Sequence, residues 1–337
     1  MSAELIGLDI AKNVIQVHGV NAVGAAVLTK RIKRSQVLEY FANLSPCLIA
    51  IEACAGSHYW ARRLAGFGHR IKLIPAQYVK PFVRRSKTDA RDAAAICEAA
   101  RQPDMPTVAV NTEEQQAVQM LHRIRQRLMQ ERTALINQAR GLLGEFGIVF
   151  PIHVSAFKEG ARKLLADESD ALPALARHLL LDLCTELTAL EERINAVDGR
   201  VRRLAKEDER CARLQEIPGI GPVTATALIA AVGDAKRYRS ARHMAASFGL
   251  TPHEHSSGGK QKLLGISKRG DRYIRWLLVQ GARSIMRFAS KRTDALSRWV
   301  CQLASRRGVN VAAAALANKL ARIAWALLAK SERFASA

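Results

Sequence analysis

The sequence predicts a mixed α/β domain, then a pair of long helices, then a mainly helical and strongly basic C-terminal domain. Three observations carry that reading. Short β-branched runs alternate with helical patterns up to residue 110, leucines recur at seven-residue spacing between 112 and 210, and glycine-punctuated, cation-rich sequence follows from 211. At 337 residues the chain exceeds the usual size of one core, and its 49% hydrophobic content is ample for more than one.

Within residues 1–110, LIGLDIA (5–11) and VIQVHGV (14–20) read as neighbouring strands, AVLTKRI (26–32) as a third, LIAIEA (48–53) as a fourth and IKLIPA (71–76) as a fifth. Helical patterns over 35–44, 58–67 and 88–101 separate the later strands, which implies a mixed sheet. In the segment 111–210, Leu121, Leu128, Leu135 and Leu142 recur every seven residues, with Ile124 between. Leu183, Leu187, Leu190, Ile194, Val197, Val201 and Leu204 keep a 4-3 spacing, the seam of a coiled coil. Such a stripe packs either against its own chain as an antiparallel hairpin or against a second subunit, and the spacing alone leaves both open. The segment 211–337 begins with LQEIPGIGPVTATALIAAVG, where a glycine turn joins two apolar helices. That is the form of a helix-hairpin-helix, in which turn amides around Gly219 and Gly221 and the following helix start can hold a phosphate.

Charge narrows the function classes. With 52 Lys and Arg against 30 Asp and Glu, the net charge is +22, which calls for a polyanionic partner, nucleic acid first. Between 236 and 310, seventeen Lys and Arg face only Glu254, Asp271 and Asp294. No uninterrupted apolar run approaches the roughly 18 residues of a membrane span, and MSAELIGLDI lacks the pattern of a signal peptide, so a cytoplasmic protein is expected. The six cysteines contain no C-x-x-C pair, which argues for reduced packing thiols rather than a zinc knuckle or a disulfide framework.

Four acids stand out against this cationic background. Asp9 lies inside an apolar strand and Glu52 ends another, and an acid there costs several kcal/mol unless it is paired or bound to metal. Asp89 and Asp92 open the helix at 88–101, one turn apart on one face, where like charges repel. Each acid alone reads as a helix cap or a strand-end carboxylate. If the first and fourth strands are neighbours, however, Asp9 and Glu52 can face one another and the helix can deliver Asp89 and Asp92 to the same place. Oxygen-only ligands favour Mg²⁺ or Mn²⁺, and such ions suit phosphoryl transfer.

The segment GLTPHEHSSGGKQKLLGISKRGDRYIR (249–275) places Ser256 and Ser257 before Gly258 and Gly259, a flexible stretch that can expose a hydroxyl. Lys260 follows, and Lys268, Arg269, Arg272 and Arg275 surround a turn and helix start, where cations can hold a phosphate and stabilise charge developing on it. His253 and His255 are within reach as a general base, although a loop histidine is more often idle.

On GLDIAK, IEACAGSHYWARRL, KTDARDA, GLTPHEHSSGGK and ISKRGDRYIR, spread in order over almost the whole chain, the sequence resembles the DEDD-type insertion-sequence transposases of the family numbered one hundred and ten. That family includes pilin-gene invertases and bridge-RNA-guided recombinases. The resemblance implies an RNase H-like, RuvC-like domain over 1–110 with the tetrad Asp9, Glu52, Asp89 and Asp92, a coiled-coil link over 111–210, and a transposase domain over 211–337. In that last domain the serine nucleophile falls on Ser257, with Ser256 adjacent. It further implies homodimers or homotetramers and a noncoding bridge RNA that pairs with donor and target DNA. The expected reaction is strand exchange through a phosphoserine link. One alternative is a metal-dependent junction nuclease in which water attacks; another is a noncatalytic nucleic-acid-binding protein. A sugar-kinase-like phosphate loop at GLDIAKN is discounted, because Lys12 and Asn13 stand where small hydroxyl residues are wanted.

Overall fold

Side chains on a strand alternate between the two faces of its sheet, and that alternation decides what surrounds each acid. The computed structural model describes residues 3–83, 88–167, 172–330 and 332–334. It divides into two compact units, Met1–Glu113 and Glu114–Ala337.

The first unit runs β1 (Leu5–Ile10), β2 (Val14–Val20), β3 (Ala26–Lys33), α1 (Val37–Ala42), β4 (Leu48–Ala53), α2 (Ser57–Ala65), β5 (Arg70–Pro75), α3 (Ala76–Val79) and α4 (Asp89–Arg101). Its sheet has the order β3-β2-β1-β4-β5. The β1–β2 and β2–β3 pairs are antiparallel, and β1–β4 and β4–β5 are parallel, so the sheet is mixed as expected and its first and fourth strands are neighbours. One face buries Ile6, Leu8, Ile15, Val17, Ile49 and Ile51 against Val37 and Phe41 of α1 and Trp60 and Leu64 of α2. The other face carries Leu5, Val20, Ala50 and Ile74, which pack against Ala95, Ile96 and Ala99 of α4 and Val79 of α3. The residues 84–87 that lead into α4, Lys87 of the KTDARDA motif among them, lie outside the described residues.

The second unit opens with α5 (Glu113–Gly144), α6 (Val154–Ala166) and α7 (Ala174–Glu207). Leu128, Leu135 and Leu143 of α5 share one core with Leu180, Leu187, Leu190, Ile194 and Val197 of α7. Arg125 of α5 pairs with Asp198 of α7, and Val118 earlier in α5 shares a cleft with Leu204 later in α7, so the two helices run antiparallel. Of the two partners that the heptads allow, the seam therefore takes its own chain. Leu142 and Ile124 of the same stripe are exposed at 53% and 38%, outside that seam.

There follow α8 (Glu209–Gln215), α9 (Pro222–Val232), α10 (Ala241–Ser247), β6 (Pro252–Glu254), β7 (Leu263–Ile266), α11 (Arg272–Ala289), α12 (Ala295–Arg307) and α13 (Val309–Lys330). Leu228 of α9, Leu278 of α11 and Leu316 and Leu320 of α13 share a separate core. By length and composition α13 could cross a membrane, although Asn318, Lys319 and Arg322 interrupt it; its apolar face, including Ala312, Leu316 and Ala324, is spent on this core. All six cysteines are unpaired, with Cys47, Cys97 and Cys211 buried, in keeping with packing thiols.

Candidate active site

Gly7 is the residue that lets the acids meet. A Cβ there would collide with the Ala93 carbonyl oxygen and lie 2.9 Å from the Cys97 amide nitrogen, so only a bare backbone allows α4 to lie directly on β1. Asp9, two residues on, points to the same face. Thr88 occupies the N-cap position of α4 with extended backbone (φ −147°, ψ 148°) and makes no side-chain capping bond, leaving Asp89 and Asp92 in the first turn. One oxygen from each of Asp9, Asp89 and Asp92 lies within 4.8 Å of the other two. Asp9 and Asp92 are half-buried and Asp89 is exposed.

Glu52 is not one of that group of three. It follows Ile51, the partner of Leu8, just as Asp9 follows Leu8, so the two acids stand on adjacent strands and the same face. The Cys54 thiol is pushed up by burial first and then by the carboxylates of Glu52 and Asp9, which places both charges in its neighbourhood. Two carboxylates at this spacing repel by about 3 kcal/mol at an effective dielectric of about 20. The α4 dipole returns roughly 0.3–1 kcal/mol per favourably placed acid. The donor set is oxygen only and anionic, which fits a hard divalent cation.

The serine segment forms a hairpin that its flexible composition did not suggest. Strands β6 and β7 pair antiparallel, and Ser257 and Lys260 bridge the tip, with the Lys260 amide donating to the Ser257 carbonyl at 3.0 Å. Gly258 and Gly259 take φ of +55° and +74°, the two successive positive values that a two-residue hairpin turn requires. The neighbouring serines differ in their commitments. Ser256 Oγ donates to Glu254 Oε1 at 2.6 Å and accepts from the Lys262 amide at 3.2 Å. Ser257 Oγ makes no hydrogen bond among the described residues and is exposed. Among those residues neither His253 nor His255 is hydrogen-bonded through its ring to a serine; Glu254 is the group beside one.

Of the cations, Lys260, Lys268, Arg269 and Arg272 are exposed. Lys268 is the only non-glycine residue with positive φ (55°) among those described, and its amide donates to the Gly249 carbonyl at 3.1 Å. Gly270 lies so close to Ser247 that a side chain would collide with its carbonyl, and Asp271 caps α11 by accepting from the Tyr273 and Ile274 amides at 2.8 and 3.0 Å. Arg275 is half-buried and donates to the Phe248 carbonyl at 2.7 Å; burial lowers its pKa. One arm of that guanidinium is thus structural. At the α8–α9 turn, Gly219 has φ +79° and faces α11 so closely that a Cβ would sit 2.6 Å from the Gly281 oxygen. Gly221 is exposed and precedes Pro222 at the first position of α9.

Two features escaped the sequence reading. Gly7 had a usable signal, since an isolated glycine within a strand marks close backbone approach. The buried contact of His122 with Tyr273 and Thr226 had none, because its partners are 151 and 104 residues away.

A family model described as "Transposase IS116/IS110/IS902 family" matches residues 211–298, which include Ser257. The DEDD transposase model of the IS110 group, described as "Transposase", matches residues 6–148, which include all four acids. The chain is similar to a "Probable family 20 transposase" of Pseudomonas aeruginosa, 49% identical over 98% of each chain. It is also similar to the "Transposase for insertion sequence element IS1111A" of Coxiella burnetii, 43% identical over 98% of this chain and 91% of that one. The "Pilin gene-inverting protein" of Moraxella bovis is 25% identical over 84% of this chain and 83% of its own.

Proposed function

Because this chain belongs to the IS116/IS110/IS902 transposase family and is an enzyme acting on DNA, we propose that it exchanges DNA strands through a covalent link between Ser257 and a DNA phosphate. The convergence of Asp9, Asp89 and Asp92 on one point carries the proposal. Together with Glu52 these acids would hold Mg²⁺ or Mn²⁺, which when bound offsets their repulsion and polarises the phosphate toward attack.

In the proposed step the Ser257 oxygen forms a bond to phosphorus as the bond from phosphorus to a deoxyribose oxygen breaks. The serine proton passes to solvent and the departing oxygen gains one. Attack by a deoxyribose hydroxyl of the other duplex reverses both changes and frees the serine, so the phosphodiester energy is retained and no ATP is needed. Lys260, Lys268, Arg269 and Arg272 would hold phosphate oxygens, Arg275 would contribute its remaining donors, and the turn at Gly219 and Gly221 would present amides to the backbone. The uncommitted hydroxyl of Ser257, against the engaged one of Ser256, supports the choice between them.

The remaining parts of the reading follow the same family. The β3-β2-β1-β4-β5 sheet supports an RNase H-like domain, and the α8–α9 turn supports a helix-hairpin-helix. Exposed Leu142, Phe146, Val149, Ile152, Leu175 and Leu179 around the α5–α7 hairpin support assembly into dimers or tetramers. Sequence selection would fall to a bridge RNA pairing with donor and target DNA, in the cytoplasm, while the +22 chain reads backbone charge.

Denaturing gels of reactions containing donor DNA, target DNA and the flanking noncoding RNA test the proposal. Wild type should yield DNA attached to protein, and Ser256→Ala should retain the adduct. Ser257→Ala should lose it, with recombination falling by at least about 10³-fold. Hydrolysed ends with no attached protein in the wild type would point instead to a junction nuclease.

A further inference from the structure

We infer that a cleft in the N-terminal unit, on the sheet face opposite α4, binds an unpaired nucleotide of a single-stranded nucleic acid. The cleft measures about 850 Å³ and lies where β2 begins and β3 ends, lined by Asn13, Lys33, Arg34, Ser35, Tyr59 and Trp60. No carboxylate is among its lining residues. The Arg34 amide donates to the Asn13 carbonyl at 2.9 Å, which ties the two strand ends that form its floor.

Its chemistry is that of a stacking platform beside a phosphate clamp. Tyr59 is 40% exposed and meets Trp60 edge to face, with ring centroids 5.1 Å apart. The Arg34 guanidinium lies 5.0 Å over the Trp60 ring. Bases stack on aromatic rings whatever their sequence, provided that their faces are not already covered by a duplex. Lys33 and Arg34 stand beside the rings as phosphate partners, and the exposed Lys30 and Arg31 extend the charge along the same edge strand.

Cations on an edge strand commonly serve to prevent pairing with another sheet, and that accounts for Lys30 and Arg31. It does not account for Arg34 over an indole. Nor does it account for Trp60, which is 2% exposed and whose Nε1–H has no hydrogen-bond partner among the described residues. A base that displaced Arg34 toward its own phosphate would take the guanidinium's place over the indole face. The cleft lies on the other face of the sheet from the acids but at the same end of it, since only three residues separate the end of the Asp9-bearing β1 from the start of β2. The inference is independent of the phosphoserine reading, because binding is measured without strand exchange.

The test uses the full chain and the double variant Arg34→Ala/Tyr59→Ala. Its affinity for labelled oligo-dT and oligo-rU of about twelve nucleotides, and for a duplex of equal length, is read by fluorescence anisotropy. The inference predicts a loss of about tenfold or more for single strands with the duplex changed less than about twofold, and retention by Tyr59→Trp. Loss confined to oligo-rU identifies an RNA segment as the occupant, and loss confined to oligo-dT an opened DNA strand. Unchanged single-strand binding, or an equal loss on the duplex, would overturn it.

Discussion

His122 is 3% exposed, with Nδ1 at 3.2 Å from the Tyr273 hydroxyl and Nε2 at 3.0 Å from Thr226 Oγ1. The Thr226 hydroxyl gives its only proton to the Pro222 carbonyl at 2.8 Å, so it must accept from Nε2–H, and Nδ1 is left to accept from Tyr273. Both ring nitrogens are thus used, and the ring pins the first turn of α11 to α5. Burial first, and then the Arg125 guanidinium, hold its pKa down at about 4, below the ordinary 6.5. Between those values the unfolded chain binds a proton that the folded chain refuses. Stability is complete above about pH 6.5 and falls as the pH drops toward 4, by roughly 3 kcal/mol at the limit. Thermal unfolding measured across that range should show the decline, and His122→Gln should flatten it; an equal slope in the variant would contradict this role.

At the scale of elements, the close seating of α4 on β1 decides whether the acids converge. Gly7→Ala should cost about 1–3 kcal/mol in urea unfolding and lower recombination as well, because α4 must lift away with Asp89 and Asp92. A variant as stable and active as wild type would show that the contact yields freely. Much of this architecture was legible beforehand. The five strands fall within about a residue of their expected ends, since alternation with a buried face leaves little freedom of register. Asp9 and Glu52 were conspicuous as acids in apolar strands. The heptads specified a seam but could not name its partner, because a chain and its copy present the same stripe. The β6–β7 hairpin was missed because its residues are almost all exposed and lack apolar alternation; the two glycines at its tip were the available signal. Arg275 shows a different limit, since a count of cations does not reveal that one arm of a guanidinium is held by a backbone carbonyl.

For the whole molecule, a net charge of +22 gives affinity for any polyanion but no chemistry, whereas a cluster of carboxylates within such a chain is set against its own surroundings. The account therefore turns on whether that cluster binds a cation. Titration of the full chain with Mn²⁺, followed by electron paramagnetic resonance, measures this without reference to activity. The account predicts saturable binding that is weakened by at least about tenfold in both Asp9→Asn and Asp92→Asn, with the fold intact by circular dichroism. Wild-type binding that persists unchanged in both variants, or no binding by the wild type, would contradict it.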